Sequence, residues 1–204
     1  DYFEAMQSLR QMVELSGSLR NLAQDLIRVS NDIRLLASGP KTGLAEINLR
    51  PLQPGSSIMP GKVNPVIFEM MDMVCFQVIG CDATVLMAAQ AGQLELNVMM
   101  PVVAFNLLHE LEILKNAIQV FDRLGVSGIT ANEQRCRMYA EESLSTVTVL
   151  NPHIGYQRGA ELAKESLATG RPIRELVLER GLLTREKLDE VFDLRSMTEP
   201  GIHK

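Results

Sequence analysis

At 204 residues the chain can hold one ordinary core, or one core and a small satellite. Twenty Lys and Arg stand against 25 Asp and Glu for a net charge of −5, and the basic residues are scattered, which argues against a nucleic-acid footprint. Cys75, Cys81 and Cys136 have neither metal nor disulfide spacing, so reduced thiols and a cytoplasmic setting are expected. The chain opens on Asp1 and enters a helical pattern almost at once, which fits a piece of a longer protein at least as well as a complete one. Its first residues do not read as a basic-then-apolar leader. Asp72, Gln77, Asp82 and Gln90 interrupt the apolar runs, so no membrane span is expected.

The predicted elements are all helical. From Tyr2 to Ser38 a stripe of Leu9, Met12, Leu15, Leu19, Leu26 and Ile33 predicts one amphipathic helix, with Arg10, Glu14, Arg20, Gln24 and Arg28 on its polar face. Gly39-Pro40 stops it. From Lys41 to Asn64 the periodicity disappears under five Pro and Gly punctuations, and a loop that long in a compact domain is usually functional or disordered. Pro65 suits a first helical position with Asn64 as its cap. The helix predicted from Pro65 to about Ala91 is apolar over most of its girth and must be surrounded. The first hundred residues supply too few partners, so a bundle completed by missing sequence, by other subunits, or by both is expected. Gly92 marks a break, and a third long helix is predicted from about Val98 to Leu124, with Pro101 in its first turn. Beyond Gly125-Val-Ser-Gly128 the units are short: roughly 132–144, 155–168, 173–179 and 184–192, the last capped by Thr184. No segment alternates like a strand for long enough to matter. Residues 1–128 are therefore expected to form a helical-bundle part, and 129–204 a small helical domain.

The stretch Gly55-Ser-Ser-Ile-Met-Pro-Gly-Lys-Val-Asn-Pro65 concentrates the chemistry. A serine needs neighbouring charge, donors or a base before it can act as base or nucleophile. Lys62 supplies a cation, and the helix start at Pro65 supplies a positive dipole end, so a substrate carboxylate near Lys62 and a stabilised oxygen on Ser56 are both favoured. A solvated Gly/Pro/Ser loop is the plain alternative. Asn64 has two competing roles, as cap or as ligand. Glu69, four residues past Pro65, is placed to orient a histidine or a water from another segment, or to form a half-buried ion pair. Glu95 and Asn97 lie around the break at Gly92, as cleft residues or, for Asn97, as a helix cap. His109 and His153 read as structural, and no histidine pair has metal spacing. The eleven methionines read as adaptable core filler.

The 55–65 stretch resembles the signature loop of the fumarase/aspartase superfamily. The likeness extends back through Ser38-Gly-Pro-Lys-Thr-Gly43 and Glu46-Ile47. It extends forward through Glu69, Gly92-Gln-Leu-Glu-Leu-Asn-Val98 and Asn151-Pro-His-Ile-Gly155. Essentially all 204 residues fit, as less than half of a family chain. The resemblance implies the later part of a central helical domain followed by a small C-terminal domain, without the N-terminal domain.

It also implies a loop that closes over substrate, with Ser56 abstracting the proton beta to the leaving group. Lys62 and Asn64 would bind carboxylate and stabilise the dianionic aci-carboxylate, and Glu69 would pair with a histidine from upstream. Ser57 and Met59 would support the loop, with Ser57 counted among the substrate-binding residues. The implied reaction is an anti-elimination giving fumarate, without organic cofactor or metal, in a homotetramer whose sites draw on three subunits. Gly92-Gln-Leu94, Gly128-Ile-Thr-Ala-Asn132 and Leu178-Glu-Arg-Gly-Leu-Leu-Thr184 look more like the aspartate ammonia-lyase branch than the fumarate hydratase branch. A helical scaffold that retains the loop without activity is the non-enzyme alternative. Two departures stand out. Lys41 replaces a usual Arg, and Arg50-Pro51 shifts a usual Leu-Pro by one place. A Lys cannot reproduce a bidentate Arg clamp, so loop anchoring there would differ.

Overall fold

The computed structural model describes residues 1–53, 59 and 61–199. These divide into two compact units, the first Asp1–Asn132 and the second from Glu133 onward.

The first unit is a bundle of long helices. Helix α1 (Tyr2–Gln7) is capped by the Asp1 carboxylate, which accepts from the Phe3 N–H at 2.9 Å. The single helix expected from Tyr2 to Ser38 is in fact broken. Ser8 turns to an extended conformation, and α2 runs from Arg10 to Leu36. The Ser8 hydroxyl accepts from the Arg10 N–H at 3.4 Å, the local serine–backbone competition that restarts helices. The apolar spacing runs straight through the break, which is why the sequence conceals it. Helix α3 (Val66–Gln90) follows, then α4 (Met100–Val120) with Pro101 in its first turn, where a missing N–H costs nothing. A wider turn over Phe121–Gly125 ends α4. Gly125 is required there, since a Cβ would meet Ile67 Cγ2 at 3.1 Å and Phe68 Cζ at 3.3 Å.

Helix α3 packs between α2 and α4. Ala23, Phe68, Met71, Cys75, Val78, Leu114, Ala117 and Phe121 form the core, with Phe68 and Phe121 edge to face at 5.2 Å. Burial, with the Asp72 charge adding to it, pushes the Cys75 thiol up to about 11, so it stays protonated and acts as a small core hydrophobe. By length and composition α3 could cross a membrane, yet it carries two buried aspartates, Asp72 and Asp82. Each meets an arginine of α2: Arg34 Nη1 donates to Asp72 Oδ2 at 2.7 Å, and Arg20 Nη1 to Asp82 Oδ2 at 2.9 Å. These contacts mark α3 as the core helix of a bundle, and they take Arg20 out of the solvated face expected for it.

Glu110 of α4 is fully buried, and neither of its oxygens has a hydrogen bond of ordinary geometry. Burial raises its pKa to about 7. The Ser16 hydroxyl of α2 pulls it down in part, and Asp82 pushes it further up.

Asn97 staples α3 to α4. Its Nδ2 donates to the Ala88 and Ala89 carbonyls at 3.0 and 3.1 Å, while its Oδ1 accepts from the Met99 N–H at 2.8 Å. It is buried and acts as a cap, not as a cleft residue. Just before it, Leu94 occupies a left-handed conformation (φ 50°) at a tight turn closed by Gln93 and Leu96.

Two short strands escape sequence pattern altogether. β1 (Ile47–Asn48) pairs antiparallel with β2 (Thr130–Ala131), Ile47 opposite Ala131 and Asn48 opposite Thr130. Asn132 extends the ribbon by donating from Nδ2 to the Ala45 carbonyl at 2.9 Å. Residues up to Asn132 therefore belong to the first unit, four beyond the expected boundary after 128.

The second unit comprises α5 (Glu133–Glu142), a 3₁₀ stretch over Leu144–Leu150, α6 (Asn151–Ile154), α7 (Tyr156–Thr169), α8 (Ile173–Glu179) and α9 (Arg185–Val191). Its core is Leu150, Ile154, Leu162, Ile173, Leu176, Val177, Leu188 and Phe192. Gly170 supplies the left-handed residue (φ 72°) that ends α7. The Thr184 hydroxyl caps α9 by accepting from the Lys187 N–H at 3.3 Å.

Candidate active site

A cleft of about 450 Å³ opens in the first unit where the end of α2, the β1 segment and the start of α3 meet. Lys62, Asn64 and Glu69 all line it, so three of the residues singled out in the sequence converge. Ser56 and Ser57 lie outside the described residues.

The local chain explains the convergence. Gly61 adopts φ 82°, a conformation that favours glycine, and the Lys62 N–H closes the turn on the Met59 carbonyl at 3.2 Å. Lys62 is exposed and Asn64 half-buried. Asn64 does not cap α3: Pro65 takes the N-cap place, with no side-chain cap hydrogen bond, and the helix starts at Val66. That leaves the Asn64 amide on the cleft wall. Glu69 sits half-buried in the first turn of α3. None of the ion pairs among the described residues involves Glu69 or Lys62. A carboxylate and an ammonium that share a cleft without pairing remain available to a third party.

The opposite wall is held by Ser38, whose hydroxyl donates to the Leu35 carbonyl at 2.6 Å and accepts from the Leu44 N–H at 3.1 Å. Gly43 is pressed against this turn, where a Cβ would lie 2.4 Å from the Ser38 carbonyl carbon. Arg34 and Asn48 also line the cleft, and neither stood out in sequence. Their partners are 38 and 82 positions away, at Asp72 and Thr130, beyond the reach of any local pattern. His109 stacks on Phe105 at 5.9 Å and is not among the cleft residues. Among the described residues no cluster of His, Cys, Asp and Glu could hold a metal ion.

A family model described as "Lyase" matches residues 1–80, covering the cleft, and one described as "Fumarase C C-terminus" matches residues 147–199. The chain belongs to the fumarase/aspartase superfamily. It is 51% identical over 201 residues to the aspartate ammonia-lyase of Helicobacter pylori, covering 98% of this chain and 43% of that protein. A fumarate lyase:delta crystallin from Brucella melitensis, solved bound to cobalt, superposes with a TM-score of 0.93 at 47% identity, over 97% of this chain and 43% of that one. The class II fumarase of Schistosoma mansoni gives 0.87 at 43% identity, over 96% of this chain and 41% of that one. The chain thus spans under half the length of the curated relatives it matches.

Proposed function

We propose that these residues are the later part of a carbon–nitrogen lyase that eliminates ammonia from L-aspartate to give fumarate, acting in the cytoplasm as a full-length homotetramer. The observation that carries this reading is the convergence of Lys62, Asn64 and Glu69 on one cleft next to the signature stretch. The 51% identity to an aspartate ammonia-lyase supports the choice of leaving group.

In this mechanism Ser56 takes the proton from the carbon beside the substrate's terminal carboxylate, and the electron pair moves into that carboxylate as an aci-carboxylate dianion. Lys62 and the Asn64 amide meet the charge as it develops, where a cation and fixed donors count most. The C–N bond then breaks anti to the lost proton, the double bond of fumarate forms, and the nitrogen departs as ammonia. Glu69 orients a histidine contributed from outside this chain. Closure of the 55–65 loop, with Ser57 supporting it, would exclude water and bring the base to its proton. No organic cofactor is needed for these steps.

Assembly into a tetramer with shared sites is part of the same reading. Met73, Phe76 and Met87 on α3, with Phe105 and Leu108 on α4, are exposed large apolar side chains that a partner would cover.

The deciding experiment follows the ultraviolet absorbance of fumarate with the full-length protein, given L-aspartate and, separately, malate. Turnover of aspartate is expected, together with its near abolition by Ser56→Ala in an intact assembly and no turnover by residues 1–204 alone. Turnover of malate and not aspartate would replace the proposal with fumarate hydratase. Turnover of neither would leave a helical scaffold.

A further inference from the structure

The two arginine–aspartate pairs that join α2 to α3 are chemically alike but differently placed. Both aspartates are buried, with side chains 7% exposed for Asp82 and 5% for Asp72. Arg20 is not among the residues lining the cleft, whereas Arg34 is.

The hydrogen bonding of Arg34 is one-sided. Its Nη1 donates to Asp72 Oδ2 at 2.7 Å and to Asn31 Oδ1 at 3.0 Å, which uses both hydrogens of that nitrogen. Nε and Nη2 make no hydrogen bond to any described residue, and the side chain keeps 37% of its exposure. Those two nitrogens form the side-on fork that matches the two oxygens of a carboxylate. Arg20 spends its guanidinium differently, with Nη1 on Asp82 and Nη2 on Asn21 at 3.4 Å, so its fork is already engaged.

The charges lining the cleft are Arg34, Lys62 and Glu69, a set with one net positive charge. One cation can meet one carboxylate, and a dicarboxylate presents two. Asp72 offsets part of the Arg34 charge, so what remains for a ligand is mainly directional: two parallel donors anchored on a buried acid. The anchoring removes rotamer freedom before any ligand arrives, which lowers the ordering cost of binding.

We propose that Arg34 is a carboxylate-binding residue of this cleft, taking the substrate carboxylate that Lys62 and Asn64 do not hold and so selecting dicarboxylates over monocarboxylates. This inference rests on the lyase reading for its substrate but is tested by binding. The measurement is calorimetric affinity of the full-length protein for fumarate and for its monocarboxylate counterpart crotonate. Wild type, Arg34→Lys, Arg34→Met and Arg20→Met are compared.

Arg34→Met is expected to reduce the fumarate-over-crotonate preference by about tenfold or more, the loss of a bidentate charge-assisted contact. Arg34→Lys keeps a cation for Asp72 without the fork, and should lose part of the preference while retaining the fold. It carries the test if the methionine variant fails to assemble. Arg20→Met is expected to lower thermal stability and leave the preference unchanged. Equal weakening of both ligands in the Arg34 variants, an unchanged preference, or a wild type that does not bind fumarate would overturn the assignment. A wild type that turns over neither aspartate nor malate, but whose preference for fumarate still collapses in Arg34→Met, would sink the lyase reading and keep this one.

Discussion

The two units of this chain solve the burial problem in opposite ways. The second closes on itself: Leu150, Leu162, Val177, Leu176 and Leu188 are at most 1% exposed, and among its described residues only Tyr156 and Leu167 are large apolar side chains left in the open. The first unit buries Met71, Cys75 and Val78 completely yet leaves Phe76, Met87, Phe105 and Leu108 between 59% and 68% exposed. A single α2–α3–α4 layer cannot cover a helix that is apolar all round. Short helices with tight caps suffice for a small self-contained core, whereas long helices of this composition call for further helices from outside the chain.

The strongest way to break that contrast is to place charge on the open face. Met87→Glu combined with Phe105→Glu is expected to dissociate the full-length assembly, as read by sedimentation, while helical content of the subunit persists. An assembly of unchanged size would show that these side chains face solvent after all. The mirror experiment is Leu162→Ala in the closed core. It should cost about 2–5 kcal/mol by the usual large-to-small penalty, read as a lower denaturation midpoint with assembly size unaltered.

A third test uses Glu110, the buried acid of the open unit. Its folded pKa is raised from 4.5 to about 7, so its contribution to stability is full below pH 4.5 and is lost as the pH rises through 7. Glu110→Gln should flatten that fall, gaining on the order of 1–3 kcal/mol relative to wild type above pH 7. A wild-type stability that does not decline relative to Glu110→Gln between pH 5 and pH 8 would refute the assignment. The smallest effect is expected in the closed unit: Thr184→Ala should cost about 1 kcal/mol, the usual value of an N-cap hydroxyl, with no change in assembly.

The legible parts of this molecule are those governed by local rules. The apolar spacing of α2, the girth of α3 and the Pro101 and Thr184 signals all yield elements close to those observed. What stayed hidden depends on distant partners or on competition within one turn. The Asp72 and Asp82 that interrupt the apolar run of α3 look like defects until Arg34 and Arg20 are brought against them. Asn64 before Pro65 reads as a cap, but the proline itself takes the N-cap place and the helix begins one residue later. The candidate site was half legible for the same reason. Lys62, Asn64 and Glu69 lie within eight positions of each other, whereas Arg34 and Asn48 reach the cleft only through the tertiary fold. Ser56 and Ser57, on which the proposed chemistry depends, are outside the described residues.

The ribbon of Ile47–Asn48 with Thr130–Ala131 has a consequence for the order in which the cleft is made. Asn48 and Thr130 are 82 positions apart, so closing that loop early would cost entropy with little return. The α3–α4 hairpin between them is built from contacts near in sequence and folds it down first. Ile47 and Asn48 line the cleft, so that wall is set only after the helices beside it have formed. A nascent chain stopped short of residue 130 would have its bundle helices in place and the cleft still without one side.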